Sequence, residues 1–520
     1  MTASSHTTYQ QFKSPLRVVV GFLFRSREVH KQRRQYREEQ LQDARRQLRE
    51  SQLRERELQK QLDEQAQRLQ ALEQEVTILR DQPVQLPHDP KLPQHSFGAK
   101  MISMCCNLAM AVGFRAAQKA LNIFWEFFGL NGKLPVFETI RTWLMRVGVA
   151  RMQFNKKQVK DSAVVWFADH SCKVGTEKAL AILGLRVEDL PPPGEPLKHE
   201  DLVTLLVSTG ESWKREDVAQ QYEALIEDIG PPLAVNSDEA VELQEPASAL
   251  KNGDKPVLVQ TDPKHKLANI IKSVMGGDER FEKFQKQLGQ TRSAIQQTEL
   301  SHFTPPKQKT KARFMNLHST LRWAAMVVWH LSVPQSAARA NIPTQRMNDK
   351  LGWLRSFRSD IARWNRCLAV VRTTLKFLNE QGLSAGSSRR LKTKLNQLEL
   401  CAASRTVVER TLAFISESER NLKSLQQPGL RVPMSTEVLE SVFGRYKQLE
   451  AQHSQGGFTS LLASFATLLK PITADEVTKS FAAVSTETMR SWVKDQLGRT
   501  LQSRKNQAYA EYKAATQAQH

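Results

Sequence analysis

The sequence predicts an α/β core on a mixed five-stranded sheet, interrupted by a large helical insertion and preceded by a coiled coil and a helical region. Three observations carry this. Apolar runs between residues 163 and 262 read in the order strand, strand, strand, helix, strand, helix, strand. A heptad seam runs unbroken from Leu41 to Leu79. An acidic middle sits in a basic chain: residues 161–245 hold eighteen Asp and Glu against six Lys and Arg, although the net charge is +21.

With 520 residues, 40% of them hydrophobic, the chain has the material for a large core and by length for about three domains. The apolar piece "LRVVVGFLF" is too short to cross a bilayer. It lacks a small-residue cleavage site and runs into "RSREVHKQRRQYR", so an uncleaved cytoplasmic protein is expected. Five cysteines, with Cys105 and Cys106 adjacent and no CxxC spacing, argue against a disulfide framework or a zinc knuckle and predict buried thiols. A basic surface of this size suits a polyanion, because neutralising phosphates releases counterions, and an acidic pocket within it suits divalent cations.

The elements follow in order. After an arm (1–24), the coiled coil spans 25–82, with Leu41, Ala44, Leu48, Leu58, Leu62, Leu69, Leu72, Val76 and Leu79 on the seam and Glu55 and Gln65 weakening it. A homodimer or higher assembly is expected from it; a single solvated helix is the alternative. Four prolines in "RDQPVQLPHDPKLPQHS" then predict a linker over 83–97. Residues 98–158 read as helices. The last, "LPVFETIRTWLMRVGVARM", resembles the second half of a helix-turn-helix that would present Thr139, Arg141, Thr142 and Arg146 to a DNA major groove. A plain packing helix is the other reading.

The first part of the core spans 159–275. "SAVVWFADH", "KALAILGLRV" and "DLVTLLVST" are three strands, followed by the helix "WKREDVAQQYEALIEDIG", the strand "PLAVNSD", the helix "EAVELQEPASAL" and the strand "PVLVQTD". This is the order of the ribonuclease H-like fold, where the first strand is central and the fourth lies beside it. Asp169 and Asp238, at the ends of those two strands, are therefore expected to share a metal, while Asp262, one strand further out, should sit beside the site. Two-metal phosphoryl transfer needs more oxygens than two carboxylates supply. A third acid is expected from "PMSTEVLESVFGRYKQLEAQ" (433–456), where Ser435 or Thr436 caps, Glu440 is the candidate, and Glu437 falls in the first turn, where an acid often serves the helix dipole.

Here "FADHSCKVGTEKALAILGL", "VNSDEAVELQ", "VQTDPKHKLAN" and "STEVLESVFGRYK" resemble the acidic-triad (DDE) transposases of bacterial insertion sequences, in the broad group that includes Mutator-like elements. The resemblance covers roughly residues 100–300 and 430–455. It implies Asp169, Asp238 and Glu440 as catalytic ligands of two Mg²⁺ (or Mn²⁺) ions, with Asp262, His265 and Asn269 near the site. His170, directly after the first acid, departs from the pattern without an assigned role. The resemblance also implies double-stranded DNA, transposon ends and target, as partner, a nucleoid-associated location, no membrane and no ATP. "NGKLP" indeed lacks the Ser or Thr of a nucleotide-binding loop.

A helical insertion between the second and third acids (276–432) is part of that resemblance. Its "PKQKTKARF" supplies Lys307, Lys309, Lys311 and Arg313, and a further basic stretch supplies Arg389 and Arg390; with Lys447 of the final helix these are the expected phosphate contacts. Trp323, Trp353 and Trp364, and Trp329 with them, are expected in its core. Residues 457–520 read as further helices of open role. A structure-selective nuclease, a catalytically inactive transposase-derived DNA-binding regulator and a basic coiled-coil scaffold are the alternatives.

Overall fold

A computed structural model of the chain describes residues 16–81, 88–130, 132–174, 177–308, 314, 317–333, 344–452, 459–498 and 501–517. The chain divides into two units, Met1–Pro87 and His88–His520. In the first, one continuous helix α1 (Leu16–Asp81) takes in both the expected coiled coil and the end of the expected arm. Pairs such as Arg34–Glu38 and Lys60–Glu64 run along it one turn apart. Leu41, Leu58, Leu62, Leu69 and Leu72 of the seam are exposed.

The second unit opens with α2 (Ala99–Val112), α3 (Phe114–Phe127) and α4 (Phe137–Val159). The expected linker is structured from His88 onward: Asp89 caps α2 by accepting from the backbone N–H of Lys100 and Met101 at 3.0 and 2.8 Å. Cys105 and Cys106 are buried in α2, and burial pushes the Cys105 thiol up to about 12.

The sheet comprises β1 (Val164–Val174), β2 (Glu177–Arg186), β3 (Val203–Gly210), β4 (Ala234–Ser237) and β5 (Leu258–Thr261), in the order β3-β2-β1-β4-β5. β1 runs antiparallel to β2 and parallel to β4, and β4 runs parallel to β5. Helices α5 (Arg215–Ile229) and α6 (Val241–Ala249) make the crossovers, and α7 (Pro263–Met275) leaves β5. This mixed five-stranded sheet is compatible with a ribonuclease H-like core carrying helical insertions. One expectation is corrected: β1 does not end at Asp169 but continues to Val174, with its register against β2 shifting between Asp169 and Cys172.

Because β1 is central, both its faces are covered and its sequence reads as an unbroken apolar run. The pleat sends Val165 and Phe167 into the core cluster that includes Trp143 of α4, and Trp166 and Ala168 into the cluster of Tyr222 and Leu243 on α5 and α6.

The insertion supplies α8 (Glu279–Ile295), α9 (Leu317–Ser332), α10 (Thr344–Leu351), α11 (Arg358–Gln381), α12 (Ser387–Leu395) and α13 (Ala402–Lys423). Phe281, Phe284, Phe357 and Trp364 stack at its centre, with the Trp364 ring 5.2 Å from Phe281 and 5.1 Å from Phe284. Trp323 is buried and Trp353 half-buried as expected; Trp329 is exposed, against expectation. The chain returns through α14 (Glu437–Ala451), a short-turned helical segment (Thr459–Leu468), α15 (Ala474–Ala483), α16 (Thr486–Leu497) and α17 (Leu501–Gln517).

The helix-turn-helix expectation is corrected by α4. From Trp143 to Met152 every residue is buried, because the C-terminal segments wrap the helix. Arg146 is 6% exposed; it donates to the carbonyls of Phe481 (2.7 Å) and Val484 and lies over the Phe481 ring, so no DNA groove can reach it. Arg151 is equally internal, paired with Glu476 at 2.5 Å through two nitrogens and bonded to the carbonyl of Lys470. Gly148 lets the 459–468 segment touch the helix: a Cβ there would collide with the Ala463 carbonyl and stand 2.7 Å from Ser464 Cα.

Gly148→Ala is therefore expected to destabilise the protein by about 2–3 kcal/mol through overpacking. Glu476→Ala, which strands a buried guanidinium, is expected to cost about 3–5 kcal/mol. Urea unfolding monitored by tryptophan fluorescence measures both.

Candidate active site

Asp169 lies within electrostatic reach of Asp238 and of Glu440 at one end of the parallel β1–β4 pair. Asp169 shares the face of β1 with Val165 and Phe167, the face that α14 covers, while the next residue, His170, points to the other face. Asp238 follows the last residue of β4 directly. Its Oδ1 accepts from the Ala240 N–H at 3.0 Å, and its carbonyl accepts from Gln244 Nε2 at 2.8 Å. Gln244 also donates to Thr261 Oγ1 at 3.0 Å, which ties the ends of β4 and β5 together.

The electrostatics of Asp169 show the convergence. Burial first, then the charges of Asp238 and Glu440, raise its carboxyl to about 6, against the pull of His170. A carboxyl so placed is neutral or ionised according to whether a cation compensates it.

Glu440 already has a cation. Lys264, in the first turn of α7, reaches Glu440 Oε2 at 2.7 Å and Glu437 Oε1 at 3.7 Å. Burial pulls the Lys264 ammonium down, but Glu440 and Glu437 overcome it and hold its pKa above the ordinary value. Glu437 also accepts from Asn379 Nδ2 of α11 at 3.1 Å. Neither Lys264 nor its role was anticipated. Its partner lies 176 positions along the chain, so no local pattern marks the pair.

Asp262 is the fully buried acid beside the site, as expected from its strand. Oδ1 accepts from the Thr436 N–H at 2.9 Å; Oδ2 accepts from the His265 N–H at 3.0 Å and from His265 Nδ1–H at 2.9 Å. Burial alone would raise its pKa, yet these hydrogen bonds outweigh it and hold the carboxylate below the usual range. Both oxygens are thus committed to α7 and to the N-terminus of α14. The Asp262 hydrogen bond raises the His265 imidazole against burial. Asn269 donates to Glu239, which also accepts from Lys266 at 2.7 Å. His170 bonds Glu242 on α6 at 2.8 Å, a structural partner that the sequence did not suggest.

The residues bear on a divalent cation as follows. Asp169 and Asp238 form a mutually repelling carboxylate pair of the kind a cation relieves. Among the described residues, however, no three His, Cys, Asp or Glu side chains gather as a metal-holding group, and Glu440 is held by Lys264. Carboxylates are the donor chemistry a divalent cation takes, and Glu440 could serve one only on leaving Lys264.

The expected DNA contacts scatter. Lys309, Lys311 and Arg313 lie outside the described residues. Lys307, Arg389 and Lys447 are exposed. Arg390 binds its own turn through the Ala385 carbonyl and the Ser384 and Ser387 hydroxyls. Thr139 is half-buried on α4, the Thr142 hydroxyl donates to the Glu138 carbonyl, and half-buried Arg141 donates to Ser460 Oγ at 3.1 Å.

No protein-family model matches the chain, and no curated protein matches it. Among solved structures, the Drosophila P element transposase strand transfer complex matches with a TM-score of 0.37 and 11% identity, over 82% of this chain and 100% of that one. No helix among the described residues is long and apolar enough to cross a membrane.

The position of Asp169 sets a pH dependence. In the folded state without divalent cations its carboxyl keeps its proton up to about pH 6, whereas the unfolded chain releases it near 3.8. Between these values the unfolded state binds fewer protons, so stability falls as pH rises through about 6. Asp169→Asn, which keeps the Oδ1 that accepts the His170 N–H at 2.7 Å, is expected to stabilise the protein above pH 6 by about 1–2 kcal/mol after allowing for partial solvent access, and to be neutral below pH 4. Thermal denaturation in a chelator across pH 4–8 measures it.

Proposed function

We propose that this chain is a metal-dependent DNA strand-cleaving and strand-transferring enzyme, a transposase of the acidic-triad kind. What supports the reading is that Asp169, on the central strand, feels the charges of Asp238 after β4 and of Glu440 on α14, acids from three elements far apart in the chain.

Asp169 and Asp238, joined by Glu440, would hold Mg²⁺ or Mn²⁺, two ions in the full site, which would supply Lewis-acid activation of the phosphoryl group and of the attacking oxygen. The protein's own part is positional. Gln244 and the Ala240 N–H fix Asp238, and the His170 N–H fixes Asp169 Oδ1 at 2.7 Å. Asp262 sets the start of α14 and so the reach of Glu440. Lys264, when Glu440 turns to a cation, is left beside the site as a positive charge for a phosphate oxygen. The exposed cations Lys307, Arg389 and Lys447 would meet duplex phosphates, and pairing of the α1 seam would bring two sites to two DNA ends.

One observation favours a second reading, a transposase-derived DNA-binding regulator without catalysis: the ion pair of Lys264 with Glu440 satisfies the third acid with no metal. Cleavage and joining on DNA carrying the repeats that flank the gene, with Mg²⁺, separates the two. Asp238→Ala is expected to abolish both steps, by a factor of 10³ or more on the scale of electrostatic stabilisation. Asp262→Ala, which loosens the start of α14 and with it the placing of Glu440, is expected to slow both steps without abolishing them. If Asp262→Ala is the dead variant while folded, the second acid has been misassigned. Wild-type protein that binds the repeats but never cuts them establishes the regulator.

A further inference from the structure

The C-terminal segments do more than cover α4. A cavity of about 340 Å³ opens where α4, the 459–468 segment and α16 meet, and its wall includes Glu138, Arg141, Thr142, Ser460, Met489 and Arg490. Three features of it bear on a ligand. Arg141, half-buried on α4, presents Nη2 to Ser460 Oγ at 3.1 Å, so the guanidinium is oriented by a hydroxyl on the facing segment. Burial lowers the pKa of Arg141 against the countering charge of Glu138. Arg490, on α16, is exposed, and among the described residues it makes no hydrogen bond or ion pair. Glu138 is the one acid in the wall, at the first turn of α4, where the helix dipole favours it.

Two guanidiniums from different helices, two hydroxyls and a single carboxylate leave the cavity with a surplus of one positive charge. That matches the single negative charge of a phosphodiester. Guanidinium presents paired N–H donors to phosphate oxygens, and a hydroxyl at the same wall adds a further donor.

We infer that this cavity is a phosphate-binding site that takes a backbone phosphodiester of DNA, with Arg141 and Arg490 as its two cationic walls. The inference rests on the proposed DNA chemistry and deepens it. It replaces base reading by α4, which the burial of Arg146 forbids, with backbone anchoring at the same end of the helix, and it gives the C-terminal helices a part in substrate binding.

The test is the salt dependence of duplex binding, read by fluorescence anisotropy of a labelled duplex in a chelator, so that cleavage plays no part. Wild-type protein, Arg490→Ala and Arg490→Lys are compared between about 50 and 200 mM salt. Arg490 is exposed, so neither change threatens folding. Arg490→Ala is expected to weaken binding several-fold and to reduce the slope of log K against log salt by about 1, with Arg490→Lys retaining most of that slope. Inorganic triphosphate is added in a second arm. If it binds in an Arg490-dependent way while duplex affinity ignores Arg490, the site takes a free phosphate compound and the backbone assignment is overturned. Wild type that binds with an unchanged slope in Arg490→Ala also overturns the inference and leaves the proposed function standing. Wild type that binds no duplex at all removes both.

Discussion

The buried carboxylate of Asp262 is the constraint on which the candidate site depends. The chain leaves the sheet at β5, runs through the whole insertion, and must return with Glu440 over β1. Asp262 joins departure to return: one oxygen takes the Thr436 N–H at the start of α14, the other takes the His265 N–H and ring N–H of α7. A buried carboxylate is tolerable only when its lone pairs are met, and here three donors meet them. Asn236, buried on β4, adds a second tie by donating to the Pro433 carbonyl at 2.7 Å, and Arg431–Val432 pairs with Leu383–Ser384 just before it. The insertion is thereby closed at its neck, and the reach of Glu440 is set by backbone geometry instead of by a loop.

Given that closure, the balance of charge at the strand ends follows. Three acids meet one lysine. Lys264 offsets Glu440, while burial first, and then the charge of Asp238, raise the carboxyl of Asp169. The pleat keeps His170 out of this exchange by turning it to Glu242 on the opposite face.

Much of this was legible in the sequence because the signals were local. β1 and β4 are short apolar runs closed by polar residues, and their order alone placed Asp169 beside Asp238 and Asp262 one strand further out. The amphipathic helix that carries Glu440 after the insertion was legible from its spacing. The failures share a cause. Arg146 sits on α4 at a spacing that looks like a solvated face, but it donates to carbonyls more than 300 positions away. Lys264 was missed for the same reason. The heptad of α1 announced a helix because the period is local, whereas what its seam packs against is not a local property. Even the end of β1 was misread, since an acid in a strand interior is rare enough to look like a terminator and the register shift beyond it leaves no compositional trace.

The buried arginines also change how the net charge of +21 should be read. Arg146 and Arg151 spend their charge inside the fold, and Arg390 spends its hydrogen bonds on its own turn. A count of Lys and Arg therefore overstates the field available to a partner. Of the cations assigned to a partner, Lys307, Arg389, Lys447 and Arg490 stay exposed, and Arg389 shares α12 with exposed Arg390, Lys392 and Lys394. An extended polyanion gains from several at once, because each further phosphate neutralised releases its counterions without a new cost of association.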